Sequence, residues 1–233
     1  MSERLVVITG IGRAGQVGEA LALAFAREGV TVAAIDREAS MVEERVRELE
    51  AAGHRARGAV ADLTNPDDTA RAARELLGDA PLHALVNAAG GFAMSGPVAE
   101  SDPNVWHRQI AISLTTAYLA TRAFLPALRR GRGSAVFFAS AAALPGGRVA
   151  EISAYAVAKS GVLTLMRAVS AEEWKNGVRA NAVAPTSIRT AANVASMGGD
   201  QSYVELESVA DAVRWLCSDA ARDVTGQVIR LGA

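Results

Sequence analysis

The stretch Leu5-Val6-Val7-Ile8-Thr9-Gly10-Ile11-Gly12-Arg13-Ala14-Gly15-Gln16-Val17-Gly18-Glu19 decides how the rest of the chain is read. Apolar and β-branched residues run from Leu5 to Thr9 as a short strand that stops at Gly10. Gly10-x-Gly12-x-x-Gly15 follows. From Glu19 the apolar residues return at helical spacing (Ala20, Leu21, Ala24, Phe25), and Gly29 closes that helix. A strand, a glycine turn and a helix in this order form an anion cradle. Glycines let the backbone approach a pyrophosphate, and the free amides and dipole of the helix face its charge. A glycine triplet alone is an ordinary turn, so the weight rests on its position between a strand and a helix.

Outward from this unit, strand and helix alternate. Strands are expected at residues 30–35, 57–61, 82–87, 135–139, 178–183 and 227–231, and helices at 40–52, 67–77, 104–129, 153–175 and 208–217. Pro126 is expected to break or kink the first long helix, and residues 186–201 read as a loop or short helices. Nearly continuous apolar strands alternating with helices point to an α/β fold, a doubly wound parallel sheet with helices on both faces. With no repeat, linker or composition break, residues 1–233 read as a single domain. In such sheets ligands bind beyond the carboxyl ends of the strands, so the residues just after each strand carry the functional argument.

Composition narrows the partners. Of 233 residues, 50% are hydrophobic and the formal net charge is −1, so nothing global draws the chain to nucleic acid or an anionic membrane. No continuous apolar run approaches the roughly 20 residues of a membrane helix, and residues 5–8 are too short for the apolar core of a signal peptide. The single cysteine, Cys217, can form neither an internal disulfide nor a thiolate cluster, which fits a reducing cytoplasm. His54, His83 and His107 are scattered, so no metal is expected. Arg129-Arg130-x-Arg132 sits at a helix end, where cations meet the dipole, and is too short for a nucleic-acid surface. Trp106, Trp174 and Trp215 read as packing residues.

Asp36 ends the second strand. A carboxylate there accepts hydrogen bonds from the adenosine ribose and repels a 2′-phosphate, which favours NAD over NADP; Arg13 and Arg37 are the local counterweight. Tyr155 and Lys159 stand at i and i+4, on one helix face. A tyrosine hydroxyl titrates near 10, and a neighbouring ammonium favours the phenolate, so the pair is expected to move a proton at a carbonyl or alcohol oxygen. Ser140, at the end of the fifth strand, can hydrogen-bond the same oxygen. Lys159 and Lys175 are the only lysines in a chain that otherwise uses arginine.

Together, Thr9-Gly10, Asp62-Leu63, Asn87-Ala88-Ala89-Gly90, Ser140, Tyr155-x-x-x-Lys159, Asn181-Ala182-Val183-Ala184-Pro185, Thr190 and Thr225-Gly226-Gln227 resemble the short-chain dehydrogenase/reductase family over nearly the whole chain. The resemblance implies a Rossmann-type fold and hydride transfer between a nicotinamide and a carbonyl or secondary alcohol. It implies that Gly10, Gly12, Gly15, Gln16 and Val17 hold the pyrophosphate side, with Asp36 and Arg37 at the adenosine ribose. Asp62 and Leu63 would hold the adenine, and Asn87, Ala88, Ala89 and Gly90 would line the cofactor. Pro185, Ser187 and Ile188 would lie along it, Thr190 would position the carboxamide, and Lys159 would reach the nicotinamide ribose while tuning Tyr155. It also implies a homo-oligomer, dimer or tetramer, through the two long helices, whose apolar faces near Leu114, Tyr118, Leu163 and Met166 would suit it. Phe92, Met94, Leu144, Val149 and Met197 are expected at the substrate mouth.

The chain departs from the family in three places. The Gly10–Gly18 loop is about two residues longer than usual, with Gln16 where a glycine is common. Ser113 replaces the family's catalytic Asn, which puts the proton relay in question. The Ser140-to-Tyr155 interval is also about two residues longer. The segment from Pro185 to Asn193 lacks the usual glycine after proline and resembles dihydropteridine reductase-like members. Two alternatives therefore stand beside a carbonyl reductase or alcohol dehydrogenase: a dihydropteridine-like reductase, and a dinucleotide-binding sensor or partner protein of low turnover.

Overall fold

Seven strands form one all-parallel sheet in the computed structural model, which describes residues 4–12 and 14–233. They are β1 (Leu5–Thr9), β2 (Thr31–Asp36), β3 (Ala56–Val60), β4 (Ala84–Asn87), β5 (Ser134–Phe138), β6 (Arg179–Pro185) and β7 (Val228–Leu231), in the order β3-β2-β1-β4-β5-β6-β7. The helices are α1 (Val17–Arg27), α2 (Ala39–Ala51), α3 (Pro66–Leu77), α4 (Pro103–Gln109), α5 (Thr116–Gly131), α6 (Ser153–Glu173), α7 (Ala191–Met197) and α8 (Leu206–Cys217).

The central strands β1, β2, β4, β5 and β6 are buried on both faces because their apolar residues alternate between two cores. On β1, Leu5 and Val7 point to the core under α3, α5 and α6, while Val6 and Ile8 point to the core under α1, α2 and α8. On β5, Ala135 and Phe137 join the first core, Val136 and Phe138 the second. Helix α3 shows how local sequence sets a boundary: the Asn65 side chain accepts from the Asp67 and Asp68 amides, and Pro66 occupies the first turn, where its missing N–H costs nothing.

The strand order reverses direction between β1 and β4, which opens a crevice at their carboxyl ends. Register then fixes what lines it. Thr9 pairs with Asn87, and Asn87 in turn pairs with Phe137, so the glycine loop, the Asn87 turn and the end of β5 stand side by side.

Two expectations on the first long helix change. Residues 103–131 run on without a break at Pro126, and Ile110–Thr115 are π-helical. Fully buried Phe124 and Leu128 hold the segment beyond the turn against the core, which outweighs the lost proline hydrogen bond. This helix is long and apolar enough to cross a membrane by length and composition, but Ala120, Phe124 and Leu128 spend its apolar face on the sheet.

Candidate active site

The glycine loop is shaped by positions that only glycine fills easily. Gly10, Gly12 and Gly15 all have positive φ (67°, 64° and 71°), and a Cβ on Gly10 would stand 2.6 Å from Ala89 Cα. Gly18 closes the same loop. A Cβ there would run into the carbonyl oxygens of Gly10 and Ile11, so Gly18 is what lets α1 start directly under the loop. Gln16 stands at the N-cap of α1 without a side-chain cap bond, and Val17 opens the helix. Glu19 accepts from the Gly15 amide and also pairs with the buried Arg45 guanidinium at 2.8 Å; Glu48 pairs with the same arginine. The longer loop is therefore strapped down by a carboxylate–guanidinium relay that motif reading does not reveal.

Asp36 lies where expected, and its carboxylate is spoken for: Oδ2 accepts from Gly12 N at 3.1 Å, Oδ1 from Arg37 N at 2.8 Å and Glu38 N at 3.3 Å. Arg37 is exposed and pairs with Glu38 at 3.5 Å. Arg13 falls outside the described residues. A cavity of about 330 Å³ joins Asp36 and Arg37 to Asp62, Leu63 and Gly90, and meets a second of about 210 Å³, holding Val17, Tyr155, Lys159, Pro185 and Ile188, at Gly90, Gly91 and Phe92.

The catalytic candidates converge from three elements. Ser140 follows β5 and its Oγ accepts from Ala142 N at 3.3 Å. Tyr155 and Lys159 lie on one face of α6, with Lys159 Nζ 5.9 Å from the Tyr155 ring centroid. Lys159 is buried, donates to the Phe138 carbonyl at 2.8 Å, and is pulled down to about 8 by burial. Tyr155 differs from the expectation: burial raises its hydroxyl above the ordinary value, and only the Ser140 hydroxyl pulls it back. Burial disfavours the Lys159 ammonium, its hydrogen bond goes to the Phe138 carbonyl, and it does not supply the expected lowering of Tyr155.

Ser113 sits in the π-helical turn, buried, with no partner for its Oγ. The point a Cβ on Gly90 would occupy is 3.5 Å from Ser113 Oγ and 3.4 Å from Lys159 Nζ, so both groups face the same glycine. π-turns are found disproportionately at functional sites. Among the described residues five buried side-chain polar atoms lack partners, and three of them, Asn87 Oδ1, Gln109 Oε1 and Ser113 Oγ, belong to residues on β4, α4 and the π-turn around the crevice. Such orphans are costly unless a water or ligand satisfies them.

Other positions take more structural parts. Asn87 Nδ2 donates to Thr121 Oγ1 (3.2 Å), tying β4 to α5, and the Ala89 amide donates to Thr9 Oγ1 (3.2 Å). Asp62 Oδ1 accepts from both the amide and hydroxyl of Thr64. Thr190 caps α7 through Asn193 N (3.1 Å), Ser187 Oγ lies 3.8 Å from Met197 Sδ, and Ile188 pairs with Val204. Asn181 and Thr225 join β6 to the β7 approach: Asn181 donates to Val224 O and accepts from Gln227 N. At the mouth, Phe92 meets Tyr155 edge-on at 5.1 Å. Met94, Val149 and Met197 are exposed, and Leu144 is half-buried against the core. Of the helix residues named for self-association, Leu163 and Met166 are buried in the core and Tyr118 faces outward. Asn193, missed in the sequence, lines the catalytic cavity and donates to Ile188 O.

The family model described as enoyl-(acyl carrier protein) reductase matches residues 10–232. The chain belongs to the short-chain dehydrogenase/reductase family. As a member it is an NAD(P)-dependent oxidoreductase acting between an alcohol and a carbonyl. It is 35% identical to 2-(S)-hydroxypropyl-CoM dehydrogenase 3 of Xanthobacter autotrophicus over 97% of this chain and 95% of that one. A short-chain type dehydrogenase/reductase from Mycobacterium ulcerans superposes with a TM-score of 0.90 at 30% identity, covering 98% of this chain and 88% of that one. A 3-oxoacyl-[acyl-carrier protein] reductase from Brucella melitensis, solved with bound NAD, superposes at 0.86 and 28% identity over 98% and 89%. These matches do not favour the dihydropteridine-like or sensor readings for this short-chain dehydrogenase/reductase.

Proposed function

We propose that this enzyme uses NAD(H) and reduces a small, largely apolar ketone, or oxidises the matching secondary alcohol, with Tyr155 as the proton-transfer group. The observation that carries the reading is that Tyr155 and Lys159 line the cavity beside Gly90, Ser140 hydrogen-bonds Tyr155, and Ser113 Oγ faces the same glycine. The residues fit the dinucleotide: a glycine loop that a Cβ would fill, a carboxylate at the end of β2, and unsatisfied polar atoms around the crevice. When bound, the nicotinamide supplies or accepts the hydride. Gly10, Gly12 and the first turn of α1 hold the pyrophosphate, and Asp62 and Leu63 border the adenine.

Tyr155, kept neutral by burial, gives its proton to the substrate oxygen, and Ser140 hydrogen-bonds the same oxygen as negative charge develops there. Lys159 and Ser113 refill Tyr155 through the space beside Gly90. Because the neutral phenol is the proton-donating form, reduction is favoured at neutral pH, and alcohol oxidation rises with pH. Exposed Phe92, Met94, Val149 and Met197 bring no charge to the mouth, hence the apolar substrate class.

NAD rather than NADP follows from Asp36. Three backbone amides hold its carboxylate at the loop, and at about 4 Å a 2′-phosphate would be repelled by roughly 4 kcal/mol at an effective dielectric of 20. We also propose a cytoplasmic homo-oligomer joined through the outer faces of α5 and α6, where Tyr118 and Val157 are exposed; light scattering of the purified chain tests the association.

The deciding experiment is Tyr155→Phe. Turnover falls by about 10³-fold while NADH binds as before; unchanged turnover removes Tyr155 from the mechanism. Asp36→Ser narrows the NADH-over-NADPH preference in binding titrations by at least about tenfold. A wild-type chain that binds NADPH more tightly would reverse the cofactor assignment.

A further inference from the structure

At the other end of the sheet the molecule carries a second polar cavity, of about 430 Å³, which the proposed chemistry does not use. It opens beside the first residues of β5 and β6, opposite the carboxyl ends where the glycine loop stands. Its charged lining is Arg132, Arg179, Arg222 and Asp219; Trp174 forms one wall.

The basic triplet at the end of α5 leads into it. Arg129 is taken by buried Glu173, and Arg130 donates to the carbonyls of Gly78 and Ala80. The Arg132 side chain makes no ion pair or hydrogen bond among the described residues; its guanidinium instead lies against Gly177, 2.8 Å from where a Cβ would be. Arg132 also has φ +48° and ψ +44°, the left-handed cap position where helices usually place glycine. It stands there between Gly131 and Gly133. A bulky residue in this conformation is strained, and strain of this kind concentrates at functional sites.

Arg179 is 9% exposed, and its guanidinium donates only to the neutral carbonyls of Val224 and Ser218, both at 3.3 Å, with no carboxylate within 4 Å among the described residues. Asp219 acts on it only from beyond ion-pair distance, and a buried cation so weakly compensated is costly. Arg222 pairs only with exposed Asp223, at 3.6 Å. Burial keeps the Cys217 thiol protonated, pushed up to about 12, and lowers His83, so neither cancels the arginines. Three guanidiniums against Asp219 leave the lining at a net charge of +2.

We propose that this cavity binds a phosphate group, free or carried on a compact molecule, at a site separate from the dinucleotide crevice. A phosphate monoester carries about −1.5 to −2 at neutral pH, which matches the lining. Guanidiniums recognise its oxygens through paired N–H donors. The volume leaves room for a small body beside Trp174.

The test is calorimetric titration of the full chain at low ionic strength with inorganic phosphate, D-ribose 5-phosphate and acetate. Phosphate and ribose 5-phosphate bind, and acetate does not. Arg132→Gly weakens both by about tenfold or more and leaves the melting temperature equal or higher, because glycine suits the left-handed cap. Arg222→Gln weakens both in the same direction. Tighter ribose 5-phosphate assigns a phosphorylated metabolite, and equal affinities assign the free ion. Absence of phosphate binding, equal binding of acetate, or an unchanged dissociation constant in Arg132→Gly overturns the proposal; the last would place any bound phosphate at the glycine loop instead.

Discussion

The two halves of the crevice are built from different materials. The dinucleotide half is made of backbone: Gly10 and Gly18 remove side chains so that loop, strand and helix can close on one another, Gly12 and Gly15 supply positive φ, and Asp36 is fixed by three amides. The chemical half is made of side chains held under load: a lysine lowered by burial, a tyrosine raised by it, and a serine oxygen with no partner. The first half is a matter of shape and tolerates no Cβ at Gly10 or Gly18. The second is a matter of electrostatics and holds unfavourable free energy that the folded core must offset. Damage to the first should be steric and all-or-none, and damage to the second should be graded and pH-dependent.

The largest expected effect tests the steric half. Gly10→Val puts a branched side chain at φ +67° and a Cβ 2.6 Å from the Ala89 backbone, where neither strand can give way. The strain and overpacking together destabilise the fold by roughly 2–5 kcal/mol and take cofactor binding with them. Denaturant titration and NADH binding measure both. If binding survives intact, the loop is not the cradle described above.

The second test separates stability from activity. Between about pH 8 and the ordinary lysine value of 10.5 the unfolded chain binds the Lys159 proton more tightly than the folded one, so this group makes stability rise with pH across that window. Below it, the folded state carries a penalty of roughly 3 kcal/mol. Lys159→Met therefore abolishes turnover yet stabilises the fold at pH 7 by about 1–2 kcal/mol after the lost bond to the Phe138 carbonyl is counted. The gain disappears near pH 11. Thermal melts at pH 7 and 11 check it, and a variant that melts lower at pH 7 shows the ammonium to be a net stabiliser.

The same division explains what the sequence made legible. Strand and helix positions follow from apolar periodicity, and the glycine loop follows from residues whose absence of a side chain is itself the signal. The β3-β2-β1-β4-β5-β6-β7 order is not legible in the same way, because it pairs strands distant in sequence and no local rule contains it. The electrostatic half resisted because i, i+4 spacing places Tyr155 and Lys159 on one face without saying how buried each is. Burial reverses the expected direction for the tyrosine. Pro126 misled because a proline counts locally against a helix, while Phe124 and Leu128 hold that helix by contacts distant in sequence. The Glu19–Arg45–Glu48 strap and the Lys159 bond to Phe138 each join residues from separate elements, and no single-stretch motif contains them.

The smallest expected effect concerns Ser113, where the two halves touch at Gly90. Its hydroxyl is short, buried and unpartnered, and it faces the same glycine as Lys159 Nζ, so a water between them is the simplest way to satisfy both groups. The π-turn already places the Ile112 carbonyl near that space, although Thr116 Oγ1 donates to it at 2.7 Å. An asparagine at this position adds an amide that can reach toward Lys159, but it must fit where Ser113 is 1% exposed. If the relay limits turnover, Ser113→Asn raises kcat several-fold with NADH affinity unchanged, and the gain is larger above pH 8, where Lys159 has begun to lose its proton. If the serine and its water already carry the relay, kcat falls instead, through overpacking of about 1–3 kcal/mol that appears equally in the melting temperature. Ser113→Ala then decides between relay and packing. Loss of kcat with an unchanged melt assigns the hydroxyl to proton transfer, and no loss leaves Lys159 to refill Tyr155 without it.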